Sequence, residues 1–192
     1  MTVRTAPTHE LGADRLRSVR ALLDTAFGGD FSEDDWDHAL GGVHAWIEDE
    51  DGIAAHGAVV MRRALHRGRS HRVGYVEGVA VRAGLRRRGL GGAVMAELER
   101  VIDGAYAFGA LGASDEGAAL YRARGWQVWE GRLEAVGPEG IVHLAEEEGH
   151  VLLRPGGGGG GAPPRPARPR LRGVGGGNLC LLKKKQTTRN TN

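Results

Sequence analysis

Tyr75-Val76-Glu77-Gly78-Val79-Ala80-Val81-Arg82-Ala83-Gly84-Leu85-Arg86-Arg87-Arg88-Gly89-Leu90-Gly91-Gly92 is the stretch on which the reading of this chain turns. Its first half is apolar and β-branched, as a buried strand requires, and its second half is a turn rich in arginine and glycine. The segment that follows carries Leu90, Val94, Leu98, Val101 and Ile102 at helical spacing, so strand, glycine turn and amphipathic helix run in succession. Such a turn lets consecutive backbone N–H groups converge on one anion, and the helix adds its positive N-terminal end. Gly89 and Gly91 lack the Cβ that would hold a ligand away from the main chain. An exposed basic turn that only caps a helix would use the same residues, and local chemistry leaves both readings open. A P-loop would need Gly-Lys-Ser/Thr, and a dinucleotide fingerprint an earlier glycine and a later acid; the stretch has neither pattern.

Within the strand, alternation puts residues 75, 77, 79 and 81 on one face, which sets Glu77 among apolar neighbours. A carboxylate there needs a partner. It either pairs with Arg62 or Arg63 on a neighbouring strand, or serves as a base whose proton affinity is raised by desolvation. Downstream, Ala118-Ala119-Leu120-Tyr121-Arg122-Ala123-Arg124-Gly125-Trp126 places Tyr121 on a short helix ended by glycine. A phenol with a reference pKa of about 10 keeps its proton at neutral pH, so Tyr121 is either a packed core side chain or a proton donor.

Working outward, Leu16, Val19, Leu22, Leu23 and Phe27 predict a helix stopped by Gly28-Gly29. Ser32 and Asp35 predict a capping box that opens a second helix through about Leu40. Two antiparallel strands follow around the acidic turn Glu48 to Gly52, with a bulge expected at Gly57. Past the central stretch come a strand over AYAFGALGA, a helix over DEGAALYRARG and a strand over WQVWEG, and residues 133–154 supply one or two more strands. The order ααβββαβαβ gives an α/β (α+β) domain: a mixed, mostly antiparallel sheet flanked by helices.

Charge divides the chain. Residues 1–154 hold 18 Arg and no Lys against 24 Asp plus Glu, a balance of −6, while residues 155–192 hold eight Lys plus Arg and no acid. The domain is therefore 1–154, and 155–192 is a Gly/Pro/Arg/Lys-rich tail expected to be disordered. An acidic domain attracts cations and is ill suited to nucleic acid or an anionic membrane. No apolar run reads as a leader or a membrane span, so a cytoplasmic chain is expected. Cys180 is the one cysteine, and the eight histidines show no paired metal spacing, so no metal is expected. Trp36, Trp46, Trp126 and Trp129 read as packing residues.

Arg86-Arg87-Arg88-Gly89-Leu90-Gly91, following a Val-Ala-Val strand, resembles the acetyl-CoA signature of the GNAT N-acetyltransferases. The resemblance implies a GNAT fold and acetyl-CoA as co-substrate, held by Val79, Ala80, Val81, Arg86, Arg87, Arg88, Gly89, Leu90, Gly91 and Gly92, with the amide near Val79 polarising the thioester carbonyl. Further blocks narrow it: Ala26-Phe27-Gly28-Gly29-Asp30-Phe31 with Asp35-Trp36, Leu40-Gly41-Gly42-Val43-His44-Ala45, the central stretch, Gly109-Ala110-Leu111 and Leu120-Tyr121 with Arg124-Gly125-Trp126 together are similar to aminoglycoside 2'-N-acetyltransferases. That family implies acetyl transfer to the 2'-amine of an aminoglycoside, with Glu77 as general base through water and Tyr121 as general acid. It implies substrate contacts at Asp30, Asp35, Glu77, Gly78 and Glu147, and a homodimer. Two departures are visible. Gly112 stands where the family has serine, and the family's C-terminal substrate contacts are replaced by the tail. The alternatives are a GNAT enzyme for another amine or polyamine, or a catalytically weak acyl-CoA-binding protein.

Overall fold

The computed structural model describes residues 1–137, 140–157 and 179–181. The chain opens with β1 (Arg4–Pro7), α1 (Thr8–Ala26) and α2 (Glu33–Ala39), followed by β2 (Val43–Asp49), β3 (Gly52–His66) and β4 (Arg69–Val81). Then come α3 (Leu90–Ala105), β5 (Phe108–Gly112), α4 (Asp115–Ala123), β6 (Gln127–Val128), β7 (Leu133–Gly137), β8 (Gly140–His143), β9 (Val151–Pro155) and β10 (Leu179–Leu181). The strands form one sheet in the order β6-β9-β5-β4-β3-β10-β7-β8, with β2 on the first half of β3 and β1 on β2. Among the described residues only β4–β5 and β7–β10 pair in parallel, so the sheet is mixed and mostly antiparallel as the pattern predicts.

The spine is the β3–β4 hairpin. Its loop is Arg67-Gly68, both at positive φ (50° and 72°), between the paired residues His66 and Arg69. Two consecutive left-handed residues are what a two-residue hairpin needs to follow the twist of its strands. The β4–β5 pair cannot be closed by a hairpin, and the crossover is α3, whose Val94, Met95, Leu98 and Ile102 are fully buried on one face of the sheet. On the other face Leu23 of α1 packs with Trp46, Ile53 and Ala80. A third cluster holds Tyr75, Phe108, Trp129 and Leu133.

The expected capping box is present: Asp35 N–H donates to the Ser32 hydroxyl and Ser32 N–H to the Asp35 carboxylate, at 3.1 and 3.0 Å. The expected bulge is displaced. Ala58 pairs with Glu77 and His56 with Ala80, so Gly57 faces two residues and the extra one lies in β4, at Gly78 and Val79. Gly57 is instead where α3 comes down on the sheet, since a Cβ there would sit 2.8 Å from Leu98 Cδ1. The pattern also missed β1, whose register on β2 depends on a distant partner, and residues 133–155 give three strands rather than one or two. Of the stretch assigned by composition to the tail, Pro155 ends β9 and Leu179–Leu181 add a strand between β3 and β7, while residues 158–178 and 182–192 lie outside the described residues. No helix among the described residues is long and apolar enough to cross a membrane.

Candidate active site

The bulge decides where the strand's side chains go. Gly78 adopts φ 57°, a left-handed conformation that L side chains rarely take, and the alternation breaks there. Val76 and Val79 belong to the cluster under α3, whereas Tyr75 lies on the opposite face. The expected common face for residues 75, 77, 79 and 81 is therefore corrected: Val79 and Val81 pack with the α3 cluster. Glu77 and the Val79 amide flank this kink in the backbone, one on each side of Gly78.

Glu77 makes an ion pair with Arg62, Nη2 to Oε1 at 2.9 Å, with side chains 19% and 11% exposed, so the carboxylate enters the interior with a compensating charge. Arg62 also lies over the Tyr75 ring, 5.1 Å from its centroid. Burial first, then the Glu77 and Glu147 carboxylates, push the Tyr75 phenol well above its usual range. Glu147, from the far end of the chain, thus shares the electrostatic neighbourhood of Glu77 through Tyr75.

Tyr121 projects from α4 into the cluster under α3, 7% exposed, and burial pushes its pKa up to about 12. Its proton is retained throughout the neutral range. Among the described residues no group hydrogen-bonds its hydroxyl, which leaves the proton available to a ligand. Its ring meets Trp126 edge-on at 6.3 Å, and Trp126 N–H donates to the Tyr121 carbonyl at 3.1 Å. Glu99 of α3 locks this end of α4, accepting from Arg124 Nε at 2.8 Å and from Trp126 Nε1 at 2.9 Å. Reading the sequence missed Glu99, because one acid on an amphipathic helix looks like surface until its partners, 25 and 27 residues on, are placed beside it.

The glycine turn lies at the start of α3. Gly89 is the N-cap at φ 82°, Arg87 adopts φ 60°, and the first turn of the helix carries no acid. The first N–H groups of a helix have no intrahelical partner, and here Arg86, Arg87 and Arg88 are exposed beside them. Arg82 is excluded from that role, since it grips Asp49 through both terminal nitrogens at 3.1 and 2.9 Å and anchors the β2–β3 turn. Donors, helix end and three cations together fit a pyrophosphate.

Asp30 is exposed in the α1–α2 loop, and Asp35 spends its Oδ2 on the capping box. Two buried histidines, absent from the sequence-based site, lie behind the bulge: His56 Nδ1 is 2.9 Å from the Gly78 carbonyl oxygen, and His44 Nδ1 is 2.9 Å from His56 Nε2. Isolated in apolar strands, they gave no signal; only the β2–β3 register brings them together.

A family model described as an acetyltransferase (GNAT) domain matches residues 8–129. The chain is 43% identical over 154 residues, 80% of its own length and 79% of the relative's, to an aminoglycoside 2'-N-acetyltransferase from Mycolicibacterium fortuitum. Among solved structures it is similar to the GNAT family N-acetyltransferase YhbS from Escherichia coli in complex with CoA (16% identity, TM-score 0.53, 80% of this chain and 79% of that one). It also resembles Eis1 from Mycobacterium abscessus (16% identity, TM-score 0.57), of which it spans 33% of the length while 70% of its own chain is matched.

Proposed function

Because the chain belongs to the GNAT acetyltransferase family, we propose that it transfers the acetyl group of acetyl-CoA to the 2'-amine of an aminoglycoside. The acceptor rests on one observation, the 43% identity across 154 residues to an enzyme named for that reaction. The arrangement of residues supports the same chemistry.

Bound acetyl-CoA supplies a thioester, an acyl group already activated for attack. The Gly89–Gly92 turn with Arg86, Arg87 and Arg88 holds the pyrophosphate, and Val79, Ala80 and Val81 offer main-chain groups along which the extended arm docks as an added strand. The Val79 N–H, turned out of register by the bulge, polarises the thioester carbonyl. Glu77, through water, takes the proton that the amine loses as its nitrogen bonds to the acetyl carbon, and Tyr121 gives its proton to the sulfur as the carbon–sulfur bond breaks. Asp30, Asp35, Gly78 and Glu147 line the approach of the amine, and the acidic balance of residues 1–154 draws a polycation toward it. The enzyme acts in the cytoplasm, where acetyl-CoA is made, and as a homodimer.

Release of free thiol from acetyl-CoA on addition of tobramycin tests the proposal. Turnover supports it; saturable acetyl-CoA binding with no thiol release for any aminoglycoside would leave an acyl-CoA-binding protein instead.

A further inference from the structure

Behind the bulge runs a hydrogen-bonded chain that the reaction as described does not use. Gly41 N–H lies 2.8 Å from Thr8 Oγ1, Thr8 Oγ1 is 2.8 Å from His44 Nε2, His44 Nδ1 is 2.9 Å from His56 Nε2, and His56 Nδ1 is 2.9 Å from the Gly78 carbonyl oxygen. Its direction follows from the Gly78 end. A carbonyl oxygen can only accept, so with one proton on each ring every link is fixed in turn, and the Thr8 hydroxyl gives its proton to His44 at 2.8 Å rather than to the Gly42 carbonyl at 3.3 Å. His56 must carry its proton on Nδ1 and donate to Gly78; His56 Nε2 then accepts from the Nδ1–H of His44; His44 Nε2 accepts from the Thr8 hydroxyl, which accepts from Gly41. Both rings are neutral and hold a single tautomer. A second proton on either would turn the Thr8 hydroxyl away from His44 and onto the longer contact with the Gly42 carbonyl, at 3.3 Å. Both are wholly buried, and burial pulls His44 down to about 4 and His56 to about 3.

The carbonyl on which this chain ends belongs to the same peptide unit as the Val79 N–H. In a trans peptide, C=O and N–H point in opposite directions, and no cis bond occurs among the described residues. Fixing the Gly78 oxygen toward His56 therefore fixes the Val79 N–H in the opposite direction. Gly78, with no side chain and φ 57°, is the residue least able to hold that peptide unaided. A donor on the carbonyl also polarises the amide and strengthens its N–H as a donor.

We infer that His56, set in its tautomer by His44 and Thr8, is a positioning residue that holds the Gly78–Val79 peptide so that its N–H faces the thioester carbonyl. The inference rests on the proposed role of the Val79 amide in acetyl transfer, and it does not depend on which amine is acetylated.

The test reads the carbonyl itself. Acetyl-CoA labelled with carbon-13 at the thioester carbonyl is bound to the protein without any amine, and its carbonyl stretch is compared with that in solution. In the unmodified protein the band moves to lower frequency. His56→Asn keeps a donor near the Nδ1 position and retains most of the shift, whereas His56→Leu removes it and returns the band toward its solution value with acetyl-CoA still bound. With any accepted amine, kcat of His56→Leu falls by at least about 10-fold while KM for acetyl-CoA changes little, the split expected when a carbonyl donor is misaimed. A full shift in His56→Leu, or no shift in the unmodified protein, overturns the inference. Should His56→Leu fail to fold, nitrogen-15 spectra of the unmodified protein decide: both rings neutral and protonated on Nδ1 uphold the chain, and an Nε2-protonated His56 overturns it. An absence of aminoglycoside turnover would leave the carbonyl band readable, so the two readings fail separately.

Discussion

At Glu77, charge and basicity serve different partners: the carboxylate balances Arg62 at 2.9 Å, and in the proposed reaction it takes the proton of the acceptor amine. Glu77→Gln keeps the size and removes both functions. A positioned base contributes about 10²–10⁴-fold in rate, so kcat/KM for a drug with a 2'-amine should fall in that range while calorimetry shows acetyl-CoA bound as before. Tyr121→Phe should likewise lower kcat and spare acetyl-CoA affinity, because only the hydroxyl is lost from a ring that stays packed on Trp126. If either variant turned over at the unmodified rate, its residue would not move a proton. Both residues stood out in the sequence, Glu77 as an acid in an apolar strand and Tyr121 by its place before a Gly-Trp step, while their proposed roles came from the family resemblance. Arg62 stood open as one of two partners, and the register of β3 on β4 chose it over Arg63. His44 and His56 were beyond reading, because their contact exists only across two strands.

Among the elements, α3 and α4 are tied by one buried acid. Glu99 is 7% exposed and accepts from three donors on two residues, Arg124 and Trp126, that would otherwise be left without it. Removing one partner of a fully buried pair costs about 3–5 kcal/mol, and because Arg124 keeps a quarter of its side-chain surface exposed the figure here is discounted to roughly 2–3 kcal/mol. Glu99→Ala should therefore lower the thermal midpoint by many degrees and also reduce kcat, since Trp126 braces Tyr121. A melting curve superimposable on that of the unmodified protein would contradict this. Long periodic elements such as α3 and the β3–β4 hairpin were readable from spacing alone. The strand expected over WQVWEG is present but only two residues long, as β6, and the edge strand β1 was not readable, since it is made by a partner remote in sequence rather than by its own residues. The bulge was foreseen in the right place but on the wrong strand, as a glycine pair facing each other offers no way to tell which residue is doubled.

For the whole molecule, the buried histidines set a pH limit on stability. Their ordinary pKa is 6.5, and in the folded chain they stand at about 4 and about 3. The unfolded chain therefore binds protons that the folded chain refuses once the pH drops below 6.5, and stability falls with pH from there toward 4. Each histidine takes away up to about 1.4 kcal/mol per pH unit in that window. Urea titrations at pH 7 and pH 5 should show a clear loss of unfolding free energy, and the slope should flatten in a His44→Gln, His56→Gln double variant. Equal stability at the two pH values would mean that the rings are not buried as neutral groups.

Transfer to a 2'-amine can be read from the choice of acceptor. Kanamycin A carries a 2'-hydroxyl, whereas tobramycin and gentamicin carry a 2'-amine, so one position separates the two classes while the polycationic character is shared. Mass spectrometry of the products, with the modified position located by NMR, should show one acetyl group on the 2'-nitrogen of tobramycin and gentamicin and none on kanamycin A at that position. Equal acetylation of both classes, or of neither alongside ready acetylation of an unrelated amine, would contradict it.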